Sequence, residues 1–250
     1  MLTMVKFHLE LACVVLLATL LTGCLEKKQM APDDGEAVVP VNKSTFKNHD
    51  DEAKVIANPE SIPVLVNKEN ILPESYQPND LVEPDISFIF SEKSEKRKMR
   101  AEAATAIEKL FAAAHADGIA LLGVSAYRSR AAQEILFHYY VSQDGYETAQ
   151  TYSALPGTSE HETGLAIDVT GADGKCAAED CFSGSPEARW LEDHAAEYGF
   201  IIRYPRGKEA ITGYQYEPWH LRYVGKKIAA DIATRGMTLE EYFKAIPVSK

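Results

Sequence analysis

The sequence predicts an α+β fold in which helices flank a small antiparallel sheet. Three observations carry that reading. Long amphipathic helical stretches alternate irregularly with short apolar runs, the strand-like runs are too few for a doubly wound sheet, and proline- and glycine-rich turns separate the elements. At 250 residues, 46% hydrophobic and 25% charged, the chain has room for one sizeable globular domain plus appended segments.

Order is expected to begin near Ile62, with the β-branched run Val64–Val66 leading into turns at Pro73 and Pro78. A long helix follows, capped by Ser91 or Ser94, with Met99, Ala103, Ile107, Leu110, Phe111 and Ala114 at helical spacing and Gly118 as its stop. The basic run "SEKSEKRKMR" reads as a solvated face of that helix. "IALLGVSAY" is a buried strand and "RAAQEILFHYYVSQ" a second helix. After a loop come the segment "SEHETGLAIDV", a helix at "PEARWLEDHAAEYG", a strand "FIIRY", a turn-rich stretch to "GYQYEPWHLRYVG", and two short closing helices.

Upstream of Ile62 the chain reads as appended segments. Residues 1–23 carry an apolar run, Leu11 to Thr22, too short to span a bilayer and of signal-peptide length. It ends in Leu21-Thr22-Gly23-Cys24, which resembles the bacterial lipobox and implies a lipidated Cys24 as the mature N-terminus. Residues 24–61, rich in Lys, Asp, Glu, Asn and Pro, read as a disordered tether, and residues 62–250 as the functional domain. Fully extended, the tether would reach on the order of 100 Å. The expected localisation is export, with lipid anchoring on the extracytoplasmic side of a bacterial membrane. In that oxidising compartment Cys176 and Cys181 of "CAAEDC" are expected to form a structural disulfide. The net charge of −11 argues against a nucleic-acid partner, because phosphate contacts need a clustered Lys/Arg surface. A monomer is expected.

The densest chemistry lies in Ser159–Val169. Leu165, Ile167 and Val169 alternate onto one face of a strand, so Asp168 points the other way beside the small Ala166. Gly164 permits a turn, and His161 before it can swing over the Asp168 face. One imidazole and one carboxylate make two metal ligands, whereas a catalytic zinc site uses three with a position left open. His115, His138 and His194 fall within predicted helices and read as structural. His220 lies three residues after Glu217 in "EPWH", where Pro218 excludes a regular helix, so this segment could supply a ligand and a general base together. Taken alone, the segment reads first as a buried histidine beside Trp219. Glu160 and Glu162 as a glycosidase pair would be poorly fixed for a defined acid/base separation. No G-x-S-x-G elbow appears, and "SRAAQ" is not an S-x-x-K motif.

"SAYRS", "SEHETGLAIDV" and "EPWHLRYVG", in that order, resemble the zinc D,D-carboxypeptidases of the VanY type and their L,D-carboxypeptidase relatives, within the wider group that includes lysostaphin and the hedgehog signalling domain. "LVNKENILPESYQPNDLV" and "RYPRGKEAITGYQYEPWH" extend the likeness over most of Ile62 to Ile246. The resemblance implies a hedgehog/D-Ala-D-Ala-peptidase-like fold, Zn2+ held by His161, Asp168 and His220, and Glu217 as the base that activates water. It makes Arg128 the group that binds and polarises substrate, and it places Gln133 and Ser159 at peptide contacts. Ala126 in "SAYRS" stands where the family commonly has glycine, which removes no catalytic group. The implied activity is removal of the C-terminal D-alanine from peptidoglycan stem peptides, with the D,D cut favoured over the L,D cut. The reading from another class is a non-catalytic cell-wall-binding lipoprotein.

Overall fold

A computed structural model describes residues 54–245. The expected signal peptide, Cys24 and most of the expected tether lie outside the described residues.

Four antiparallel strands form the sheet that carries the site: β5 (Leu121–Ser125), β6 (Ala166–Gly171), β7 (Phe200–Tyr204) and β8 (Glu217–Tyr223), in the order β5-β6-β8-β7. Small two-stranded ladders precede it. β1 (Lys54–Val55) runs parallel to β2 (Asn70–Ile71), and β3 (Leu81–Val82) runs antiparallel to β4 (Met99–Arg100). The helices are α1 (Ala101–Ala116), α2 (Arg130–Asp144), α3 (Tyr146–Ala149), α4 (Pro186–His194), α5 (Glu209–Thr212), α6 (Lys226–Arg235) and α7 (Leu239–Ala245). This is the α+β architecture with a small antiparallel sheet that the sequence predicts.

The core forms because period-2 and period-3.6 apolar patterns meet. Leu165, Ile167 and Val169 from the β6 segment, and Trp219, Leu221 and Tyr223 from β8, join one buried cluster with Ala103, Ala104, Ile107, Leu110 and Ala114 of α1. The intervening residues Asp168, His220 and Arg222 therefore occupy the opposite face, where they too are buried.

Several elements differ from the sequence reading. The first helix begins at Ala101, because Arg100 is extended (φ −61°, ψ 143°) and Met99–Arg100 pairs with Leu81–Val82. Ser94 caps only a short 3-10 turn at Glu95–Arg97. The basic run upstream is not a solvated helix face: the Arg97 guanidinium lies 4.6 Å from the Phe88 ring centroid, and Arg100 donates to Asp80 at 2.8 Å. The end of the predicted tether is ordered at residues 54–61, since β1 gains main-chain pairing from β2 and Ile56 packs on the core. Val64 and Val66 are buried core residues without strand pairing. Finally, the turn-rich "EPWHLRY" is a seven-residue interior strand. Pro218, with no N–H to give, is tolerated there because pairing with β6 stops at His220 and the β7 register is irregular at that end.

Candidate metal centre and active site

His161 and Asp168 reach one place because the turn between them is tight. Ser159 opens a 3-10 turn, Glu160–Thr163, that ends at Gly164 with φ +67°, and β6 starts two residues later. A Cβ at Gly164 would sit 2.8 Å from Leu81 Cδ2, so both backbone conformation and space require glycine. His220 arrives by sheet register, as the direct cross-strand partner of Asp168. Nitrogens of the two imidazoles and a carboxylate oxygen of Asp168 lie within 4.8 Å of one another.

Which atoms could ligate a metal depends on what the other atoms do. His161 Nδ1 donates to the Ala126 carbonyl at 2.7 Å, which leaves Nε2 as a lone-pair donor, 3.3 Å from Asp168 Oδ2. His220 Nδ1 lies 2.9 Å from Asp168 Oδ1, and its Nε2 faces Glu160 Oε2 at 3.6 Å. The two rings meet edge to face with centroids 4.9 Å apart, and Tyr204 stacks on His220. Two imidazoles and one carboxylate fit a tetrahedral divalent metal with one open position, provided that His220, which Asp168 and Glu160 push up to about 9 against the effect of burial, gives up a proton.

Electrostatics sharpen the picture. Burial alone would raise Asp168, yet His161 and His220 together hold its carboxyl well below the usual carboxylate range. Burial, with Arg128 and His220 acting in the same direction against Asp168, lowers His161, favouring the neutral imidazole that a metal needs. Glu217, at the first position of β8, is pushed up to about 8, chiefly by burial, with His220 opposing and Asp168 adding to the rise. A carboxyl poised near neutrality beside a donor triad suits proton exchange at physiological pH. Arg128 is held in place: Nη1 donates to Gln133 Oε1 at 2.9 Å and Nη2 to Ser125 Oγ at 3.1 Å. Its charge acts on both His161 and Glu217. Gln133 is buried and in turn donates to the Ala154 carbonyl at 2.7 Å, so it serves as a brace for Arg128. Ser159 is buried and makes no side-chain capping bond.

The structure thus brings His161, Asp168, His220, Glu217 and Arg128 into one neighbourhood. Cys176 and Cys181 are bonded, with Sγ atoms 2.09 Å apart, in the loop after β6. Sequence reasoning did not find the support of the site. Glu160, weighed only as a glycosidase carboxylate, lies under His220, and Arg203, Arg222 and Tyr204 surround it. No local signal marks these residues, because Glu160 meets its partners across 43 and 62 residues of sequence.

Comparison with known proteins agrees with the geometry. A family model described as VanY, D-alanyl-D-alanine carboxypeptidase, matches residues 96–226. The chain belongs to the VanY family. YodJ of Bacillus subtilis (strain 168), a carboxypeptidase by name, is 48% identical over 196 residues, covering 78% of this chain and 72% of that protein. Among solved structures, the LdcB LD-carboxypeptidase is 48% identical with a TM-score of 0.75, covering 78% of this chain and 92% of that one. A mutant of the vancomycin resistance D,D-pentapeptidase VanY in complex with Zn(II) is 32% identical with a TM-score of 0.59, covering 73% of this chain and 98% of that one. The VanY-family fold is therefore that of a carboxypeptidase, with its shared elements spanning most of the described residues.

Proposed function

We propose that the chain is a zinc-dependent carboxypeptidase that removes the terminal D-alanine from peptidoglycan stem peptides. The observation that carries this reading is the buried donor triad His161, Asp168 and His220, closed by sheet register in a chain of the VanY family. The Zn(II) complex of a VanY relative supports zinc as the metal. Bound to the triad, zinc would supply a Lewis acid for the scissile carbonyl and lower the pKa of a water molecule.

The chain's own groups perform the remaining work. Glu217 accepts a proton from the attacking water as the water oxygen bonds to the carbonyl carbon. It then returns that proton to the amine of D-alanine as the C–N bond breaks. Such transfers contribute about 10²- to 10⁴-fold. Arg128, fixed by Gln133 and Ser125, presents a planar fork of donors to the carbonyl oxygen or the terminal carboxylate of the substrate. Its orientation is set before substrate arrives, so little reorganisation accompanies binding.

The sequence reading favours the D,D cut of a pentapeptide. The greater likeness to an L,D enzyme, 48% identity against 32% for the D,D-pentapeptidase, supports the L,D cut of a tetrapeptide as a second reading. The experiment is mass spectrometry of a muramyl pentapeptide and tetrapeptide incubated with the protein, with added zinc, with chelator, and with Glu217→Ala. Loss of one alanine is expected, absent with chelator and about 10²- to 10⁴-fold slower in the variant. The peptide that shortens identifies the cut. If neither peptide changes while zinc is bound, the non-catalytic cell-wall-binding reading replaces catalysis. Export and lipid anchoring at Cys24 belong to the same proposal. Radiolabelled palmitate incorporation that survives Cys24→Ala would refute the anchoring.

A further inference from the structure

Beneath the donor triad lies a group of charges that the proposed reaction does not use. Glu160, Arg203, Arg222 and Glu240 are all buried, and both arginines are fully so. Glu160 Oε1 accepts from Arg203 Nε at 2.7 Å and from Arg222 Nη1 at 2.5 Å. Arg203 closes a two-point contact with Glu240 of α7, Nη2 to Oε1 at 2.6 Å and Nη1 to Oε2 at 3.0 Å. Arg222 spends its remaining donors on the carbonyls of Ile62, Val64 and Tyr223. The two carboxylates balance the two guanidinium groups, so the group is neutral as a whole.

One atom of this group is left over. Glu160 Oε2 is buried without a hydrogen-bond partner, and so is His220 Nε2, and the two face each other at 3.6 Å. Two orphaned buried polar atoms aimed at one another are costly unless they serve each other. A movement of under about 1 Å would bring them to the 2.7–2.9 Å of a charge-assisted bond. Both arginines sit on Oε1, so Oε2 is the free acceptor and the carboxylate cannot rotate without breaking two charged contacts. The His220 ring plane is held by Tyr204 at 28°, with Asp168 Oδ1 2.9 Å from Nδ1 and Glu160 Oε2 on the Nε2 side, so what is left to be decided is which nitrogen keeps its proton when a metal binds.

We infer that Glu160 is a positioning residue for His220. It holds the proton on Nε2 and thereby frees the Nδ1 lone pair for the metal position beside Asp168, with Arg203 and Arg222 clamping the carboxylate and Glu240 neutralising the second guanidinium. The inference rests on the metal centre proposed above. Glu160→Gln keeps the shape, but the arginines draw the amide oxygen to themselves and leave the NH2 facing His220. That reverses the donor and acceptor and favours the wrong tautomer for ligation.

The test is zinc affinity of the full chain, measured by competition with a chromogenic chelator, for wild type, Glu160→Gln, His161→Ala and His220→Ala. A loss of about 10- to 100-fold in a folded Glu160→Gln chain is expected. An unchanged affinity in that variant overturns the inference alone. Wild-type affinity no higher than that of the two histidine variants removes the metal centre and the inference with it. A second measurement needs no variant: nitrogen-15 NMR of the histidine side chains in the zinc-loaded wild-type protein. A proton on His220 Nε2 with a metal-shifted Nδ1 is expected, and a proton on Nδ1 or a metal-shifted Nε2 overturns the inference even if Glu160→Gln does not fold.

Discussion

Glu217 shows at the level of one residue how a site can oppose the fold that holds it. Burial disfavours its charged form, so its carboxyl moves from an ordinary 4.5 to about 8. Between those values the folded, metal-free chain retains a proton that the unfolded chain has released. Stability from this group is therefore complete below pH 4.5 and is lost as pH rises through 8. Glutamine has the same shape and no proton to lose. The metal-free Glu217→Gln chain is expected to melt above wild type from about pH 5, with a gap that widens to about pH 8 and vanishes below about pH 4.5. Thermal melts across that range decide it, and a wild type that stays equally stable at pH 8 refutes the desolvation argument. The identity of the residue was legible, since "EPWH" places a carboxylate near an imidazole. Its burial was not, because the neighbours that desolvate it come from other parts of the chain.

Among the elements, the turn from Glu160 to Gly164 and the strand β8 matter most. Gly164 sits at φ +67° with Leu81 and Arg100 packed where a side chain would begin. Gly164→Ala is expected to destabilise the fold by about 1–3 kcal/mol, through left-handed backbone strain together with overpacking. Because His161 and Asp168 flank this turn, zinc affinity should fall as well. Denaturant unfolding with and without zinc measures both effects, and a neutral result would mean that the ladder of β3 and β4 yields without cost. The turn was visible in the sequence from a glycine before an alternating strand. β8 was not, because proline near its start outweighs any local strand signal and only pairing with β6 and β7 organises the segment. The start of α1 differs from its periodicity for a related reason: Met99 fits the helical period, but β3 recruits it into a ladder.

At the scale of the whole molecule, the proposed metal centre is assembled by the same contacts that build the sheet. The three candidate ligands come from the turn before β6, from β6 itself and from β8, and they converge only when the sheet is in register. Zinc should therefore stabilise the folded chain by mass action, by about 4 kcal/mol at a thousandfold excess over its dissociation constant. Chelation is expected to lower the melting temperature and zinc to restore it, while His220→Ala should melt at the same temperature with and without zinc. A melt insensitive to chelator in the wild-type chain would contradict the coupling. Among the described residues no helix is long and apolar enough to cross a membrane. By itself the sequence determined the α+β class, the apolar faces of α1 and β6, and the residue types at the site, since those depend on periodicity and on short motifs. Only the tertiary structure decided which nitrogen of His161 a carbonyl engages, what clamps Glu160, and where Glu217 loses its water. Those properties arise from contacts between residues distant in sequence, and no local pattern encodes the register that brings them together.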